Sequence, residues 1–122
     1  MKAVRLVVVL DCEDLELLAA FWSQAIGYRL SGSLEPYCVL VPEQGEGVEL
    51  VLQRVPEPKT AKNRMHLDIL TDDLDSSVQR LCDLGARKLQ PAAIEQHGFR
   101  WIVMADPEGN EFCVCVEPRS NT

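Results

Sequence analysis

A chain of 122 residues with 47% apolar and 25% charged side chains has room for one core and the make-up of an ordinary globular protein, which excludes a disordered tract or a fibrous repeat. Its 12 basic against 19 acidic residues leave a formal charge of −7. That balance opposes phosphate backbones and anionic lipid, so neither nucleic acid nor a membrane is an expected partner. The five cysteines, Cys12, Cys38, Cys82, Cys113 and Cys115, are odd in number and lack CxxC spacing, the pattern of reduced thiols in a cytoplasmic protein. Leu6 to Leu10 is cut off by Asp11, too short for a signal-peptide core or for the ~20 residues of a membrane span.

In chain order, valine-rich residues 4–10 predict a buried strand, and Asp14 is the expected N-cap of the helix that follows. Leu15, Leu18, Phe21, Trp22 and Ala25 recur at helical spacing, and Gly27 stands where a left-handed C-terminal residue is wanted. Strands are expected at about 28–33, 36–42 and 48–55, with turn signals at Ser31-Gly32-Ser33 and Pro42-Glu43-Gln44-Gly45. Residues 55–63, with two prolines and two lysines, read as an exposed connection. A strand from Met65 to Thr71 follows, then a helix capped by Asp72-Asp73, carrying Leu74, Val78, Leu81 and Leu84 and ending at Gly85. Strands at about 86–90, 99–105 and 110–116 complete the chain, the last two separated by the turn Asp106-Pro107-Glu108-Gly109-Asn110.

The second half repeats the first. Val7 to Leu15 aligns with His66 to Leu74 at an offset of 59, and Gly27 with Gly85 at 58. Gly47 to Gln53 aligns with Gly109 to Cys115 at 62. The chain is thus α+β: two tandem βαβββ modules, about 4–55 and 64–118, joined by a linker of about 56–63 within a single domain spanning 1–122.

Strand alternation divides the side chains between two faces. Met65, Leu67 and Ile69 form one apolar face, opposed by His66, Asp68 and Leu70. Phe112, Val114 and Val116 oppose Glu111, Cys113 and Cys115, and Val48, Leu50 and Leu52 oppose Glu49, Val51 and Gln53. By the repeat, Val7 and Val9 match His66 and Asp68. If the helices cover one face, the other carries a concavity lined by His66, Asp68, Glu49, Gln53, Glu111, Cys113 and Cys115. The plainer alternative is a sheet that presents its polar face to water.

The paired modules, Asp14-Leu15 with Phe21-Trp22 and Gly27, the segment Lys62-Asn63-Arg64-Met65-His66-Leu67-Asp68 followed by Asp72-Asp73-Leu74-Asp75, and the turn Asp106-Pro107-Glu108-Gly109-Asn110-Glu111-Phe112 together resemble the vicinal oxygen chelate superfamily. It includes glyoxalase I, bleomycin- and fosfomycin-resistance proteins and extradiol dioxygenases, and the likeness is to its short glyoxalase-like members, from about residue 4 to 118. The resemblance implies a curved mixed β-sheet forming a U-shaped cleft, helices outside, in a homodimer. Its metal-ligand positions fall on Val7, Val51, His66 and Cys113, of which His66 alone matches well. A divalent metal on that set is incomplete; a displaced zinc site would draw on His66 and Cys113 with Cys115, Gln53 or Glu111.

His66 therefore has three readings: a metal ligand, a general base oriented by Asp68, or a polar group hydrogen-bonded within the cleft. Trp101 is the candidate for stacking on an aromatic ligand, whereas Trp22 belongs to the helix stripe. Cys12, Cys38 and Cys82 read as buried small apolar residues. The expected function is small-molecule binding in the cleft of a homodimer, with Gln53, Trp101, Glu49, Glu111, Cys113, Cys115 and Val7 as ligand contacts, and the −7 charge favouring cationic ligands. The alternative is a lyase or isomerase using His66 and Asp68, with an atypical metal site or none.

Overall fold

The computed structural model describes residues 5–118, and divides between Lys59 and Thr60 into two compact units. Val4, where the sequence reading begins the first strand, lies outside the described residues. The first unit runs β1 (Val7–Cys12), α1 (Leu15–Ile26), β2 (Tyr28–Leu34), β3 (Tyr37–Pro42) and β4 (Glu49–Arg54). The second runs β5 (Leu67–Leu70), α2 (Leu74–Leu84), β6 (Arg87–Lys88), β7 (Ile94–Gln96), β8 (Phe99–Ala105) and β9 (Glu111–Val116). Each unit is a helix and a mixed open sheet, ordered β1-β4-β3-β2 in one and β5-β9-β8-β6 in the other, with β7 also pairing β8. The first and last strand of each unit are parallel, β1 with β4 and β5 with β9; every other pairing is antiparallel.

The helix ends follow from the residues that mark them. Asp14 is extended (φ −105°, ψ 93°) and accepts from the Leu17 N–H at 3.0 Å; Asp73 does the same for Ser76 at 3.1 Å. These carboxylates satisfy N–H groups that have no partner inside the helix. Gly27 (φ 69°) and Gly85 (φ 119°) close the two helices in a backbone region that side-chain-bearing residues avoid. On α1 the buried residues are Leu15, Leu18, Phe21, Trp22 and Ala25, the predicted stripe, packed against β2, β3 and β4. Phe21 and Trp22 meet edge to face at 5.2 Å between ring centroids, an arrangement that suits the ring quadrupoles. On α2 the buried set is Leu74, Val78 and Leu81, and Leu84 is only half-buried.

Helix-facing strand residues complete each core: Leu40, Leu50 and Leu52 in the first unit, and Ile102, Met104, Phe112 and Val114 in the second. Burial of each such side chain stabilises its unit by roughly 1.5–3 kcal/mol. The Asp106–Asn110 turn is held from inside. The buried Asp106 carboxylate accepts from the backbone N–H of Glu108 and of Asn110, each at 2.9 Å, and from the Asn110 side-chain amide.

Five expectations are corrected. The first strand is not buried: β1 runs Val7–Cys12, and Val7 and Val9 are 42% and 53% exposed. Ser31-Gly32-Ser33 is not the turn but part of β2, where the register shifts between Leu30 and Gly32; the chain reverses at Glu35-Pro36 instead. A glycine within a strand often marks such an irregularity, so the turn-like composition had a second meaning. The strand expected at 86–90 shortens to Arg87–Lys88, and β7 forms within the segment read as loop, giving the second unit an extra short strand. β5 begins at Leu67, which leaves Met65 86% exposed and outside the helix-facing surface. Cys82 is half-buried, unlike Cys12 and Cys38.

Two substitutions should separate these contributions in urea denaturation. Asp73→Ala removes one helix cap and should cost about 1 kcal/mol. Asp106→Ala leaves several donors of a buried turn without their acceptor and should cost at least about 2 kcal/mol.

Candidate functional site

Paired residues on neighbouring strands share a sheet face, so the register assigns each candidate a place. In the second unit Asp68 pairs with Cys113, and Cys113 with Val103. The next row is Leu70, Cys115, Trp101 and Ile94. Glu111 stands opposite Ala105, two residues from Cys113 on the same face. The face opposite α2 therefore carries Asp68, Glu111, Cys113 and Cys115, which the alternation groups together, and Trp101, which joins them through its pairing with Cys115.

His66 lies one residue before β5 and turns to the same side. Its Nε2 is 3.3 Å from Asp68 Oδ1, and the two side chains are 46% and 52% exposed. Such an exposed contact adds little to stability; it fixes the orientation of an imidazole. Donor atoms of His66, Asp68 and Cys113 all lie within 4.8 Å of one another. Cys113 is only 7% exposed. Burial, then the negative charge of Asp68 and of Cys115 and the hydrogen-bonding pull of Asp68, push its thiol up to about 11, with Lys62 acting in the opposite sense. Cys115 is raised by burial and by Asp68. Both are therefore neutral thiols at pH 7, and neither is an activated nucleophile.

Glu111 is held from within the second unit: its carboxylate accepts from the Asn63 backbone N–H at 3.0 Å. Beside Cys115, Trp101 is half-buried, Leu70 is 60% exposed and Ile94 39% exposed, so a partly open apolar surface borders the polar cluster. A hollow of about 670 Å³ lies at the strand ends, lined by Leu70, Thr71, Asp72, Val116, Glu117 and Pro118; it includes Leu70 but none of the polar cluster.

In the first unit the corresponding face is mainly aliphatic. Val7 pairs with Glu49, Val9 with Val51, and Val51 with Val39; Gln53 stands between Asp11 and Tyr37. Glu49 is bound by Arg5, whose Nη2 lies 2.6 Å from its Oε1. The four positions to which the resemblance assigns metal ligands thus hold two valines with no donor atom, an imidazole and a neutral thiol. That set does not fit a hard divalent ion. Val103 and Ile94 were absent from the sequence reading of the site. Both are ordinary apolar strand residues, and only the pairing register reveals their neighbours.

The thiols make a pH dependence measurable. An unfolded cysteine ionises near its ordinary value of 9.0, whereas folded Cys113 keeps its proton to about 11. Above pH 9 the unfolded chain binds fewer protons than the folded one, so stability is full below pH 9 and falls as pH rises towards 11. Urea midpoints measured across this range should decline, and Cys113→Ala should flatten part of the decline.

The family model described as "Glyoxalase-like domain" matches residues 7–115. No curated protein sequence matches the chain. Among solved structures, a genomically encoded fosfomycin resistance protein from Listeria monocytogenes is similar with a TM-score of 0.78 at 17% identity, over 95% of this chain and 94% of that one. A glyoxalase-related enzyme from Fulvimarina pelagi gives 0.74 at 22% identity, over 96% and 89%. A glyoxalase/bleomycin resistance protein from Albidiferax ferrireducens gives 0.69 at 15%, over 91% and 96%. These likenesses show a shared fold, and the family match across nearly the whole chain leads to one conclusion: this protein belongs to the glyoxalase-like domain family.

Proposed function

We propose that this protein binds a small organic molecule on the open face of its second module, as a homodimer. His66 and Asp68 anchor a polar group, and Trp101, with Leu70, Val103 and Ile94, offers an apolar wall. The observation that carries this reading is the 3.3 Å contact between His66 and Asp68 beside a partly exposed aromatic and aliphatic surface. A few convergent polar groups against apolar lining are the usual make-up of a ligand site. Asp68 and the net charge of −7 favour a ligand with a cationic group next to a flat apolar part.

The same His66–Asp68 contact supports a second reading, a lyase or isomerase. His66 would take a proton from a carbon beside a carbonyl and return it to the neighbouring carbon, while Asp68 orients the ring and stabilises the imidazolium. Cys113, a neutral thiol, would keep Asp68 in place without acting as nucleophile.

Benzyltrimethylammonium and benzoate, titrated separately, test the binding reading. The cation should quench the fluorescence of Trp101, the anion much less, and the quenching should vanish in Trp101→Phe. His66→Ala and Asp68→Asn should each weaken binding by about 10-fold, roughly 1.4 kcal/mol. Quenching that is indifferent to all three substitutions would contradict the assignment.

A further inference from the structure

We infer that Glu111 is a positioning residue: through the Asn63 backbone it holds the short segment that carries His66, and so sets the imidazole beside Asp68. Glu111 thereby acts through His66 rather than by touching a ligand. Its effect on binding rests on the reading of His66 as a ligand anchor; its effect on the ring does not.

His66 needs such a hold. β5 begins at Leu67, paired with Phe112, so Arg64, Met65 and His66 lie outside the ladder that fixes the rest of the strand. Arg64 and His66 are exposed and Met65 is 86% exposed, so burial fixes none of the three. The contact of His66 Nε2 with Asp68 Oδ1 at 3.3 Å joins two half-exposed side chains. A pair of that kind is worth too little to order three residues by itself.

The register puts Glu111 where it can supply the hold. It directly precedes Phe112 on β9, as His66 precedes Leu67, so the two stand level across the parallel pair, on the face that carries Asp68 and Cys113. Glu111 is itself fixed by its pairing with Ala105 on β8, and it is half-buried. Its Oε2 accepts from the Asn63 N–H at 3.0 Å in a partly buried contact. A hydrogen bond to a carboxylate is roughly twice as strong as one between neutral groups, and partial burial shields it from water. The chain is therefore pinned at Asn63 by Glu111 and at Leu67 by Phe112, with only Arg64, Met65 and His66 between. A span so short has few conformations once both ends are fixed, and His66 is its last residue.

Three substitutions separate reach from charge, read by nuclear Overhauser contacts and amide exchange in the ligand-free protein. Wild type should show contacts from the His66 ring to the Hβ protons of Asp68, and a slowly exchanging Asn63 amide. Glu111→Ala should abolish the ring contacts and speed Asn63 exchange at least about 10-fold. Glu111→Gln, whose side-chain oxygen still accepts, should keep both. Glu111→Asp retains the charge but shortens the reach by one methylene; it should behave as Glu111→Ala does, and it carries the test if Glu111→Ala does not fold. The methyl contact of Ile69 with Val114 certifies the fold of each variant. Benzyltrimethylammonium then reports on binding. Its affinity should fall about 10-fold in Glu111→Ala and less than about 2-fold in Glu111→Gln, and Glu111→Ala should add nothing once His66 is replaced by alanine. Ring contacts that survive in Glu111→Ala or Glu111→Asp, their loss in Glu111→Gln, or an additive loss of about 100-fold in the double variant would each overturn the inference. Failure of wild type to bind the cation would instead contradict the ligand-binding reading, and the ring contacts would still decide the role of Glu111.

Discussion

The parallel pairing of β5 with β9, which sets Asp68 against Cys113 and Ile69 against Val114, is the constraint on which the second module depends. A strand has a side-chain period of two, so one register decides both faces at once. Leu67, Ile69, Phe112 and Val114 turn to α2 because Phe112 and Val114 are worth most when buried. The same choice brings Asp68, Cys113 and, from just outside the strand, His66 to the other side. The core supplies the energy, and the polar cluster is assembled as its consequence. A slip by one residue would turn one of the two strands over, either burying Asp68 against α2 or exposing Phe112, at a cost no surface contact could offset.

The two modules share this plan and differ in what it delivers. In both, an aspartate caps the helix, a left-handed glycine closes it, and the first strand pairs in parallel with the last. The open face of the first module is lined by valines from three strands, with its one paired carboxylate, Glu49, held by Arg5. That of the second gathers an imidazole, two carboxylates and two thiols. Family membership accounts for the shared plan. The differences are properties of these side chains, and the structural relatives, at 15–22% identity, speak to the fold and not to them.

Much of this was legible in the sequence, for reasons that can be named. Helix limits came from local chemistry: Asp14, Gly27, Asp73 and Gly85 act within a turn of their own position. The faces of β5 and β9 came from alternation, which needs no knowledge of the partner strand. Ser31-Gly32-Ser33 misled because the same residues serve a turn or an irregular strand, and only pairing with β3 decides which. β7 was missed because its three residues are strand only through their bonds to β8. The polar cluster was half visible. His66 and Asp68 lie two apart in sequence, but that Cys113 is the cysteine opposite Asp68, and that its thiol stays protonated, depends on register and burial.

The central claim is that this register sorts the core to one face and the chemistry to the other, and nuclear Overhauser contacts in the intact protein test it most directly. The account predicts side-chain contacts between the Hβ protons of Asp68 and Cys113, and between the methyl groups of Ile69 and Val114. Contacts from Asp68 to Phe112 or Val114 in place of Cys113 would mean a register shifted by one, and would contradict both the core and the site built upon it.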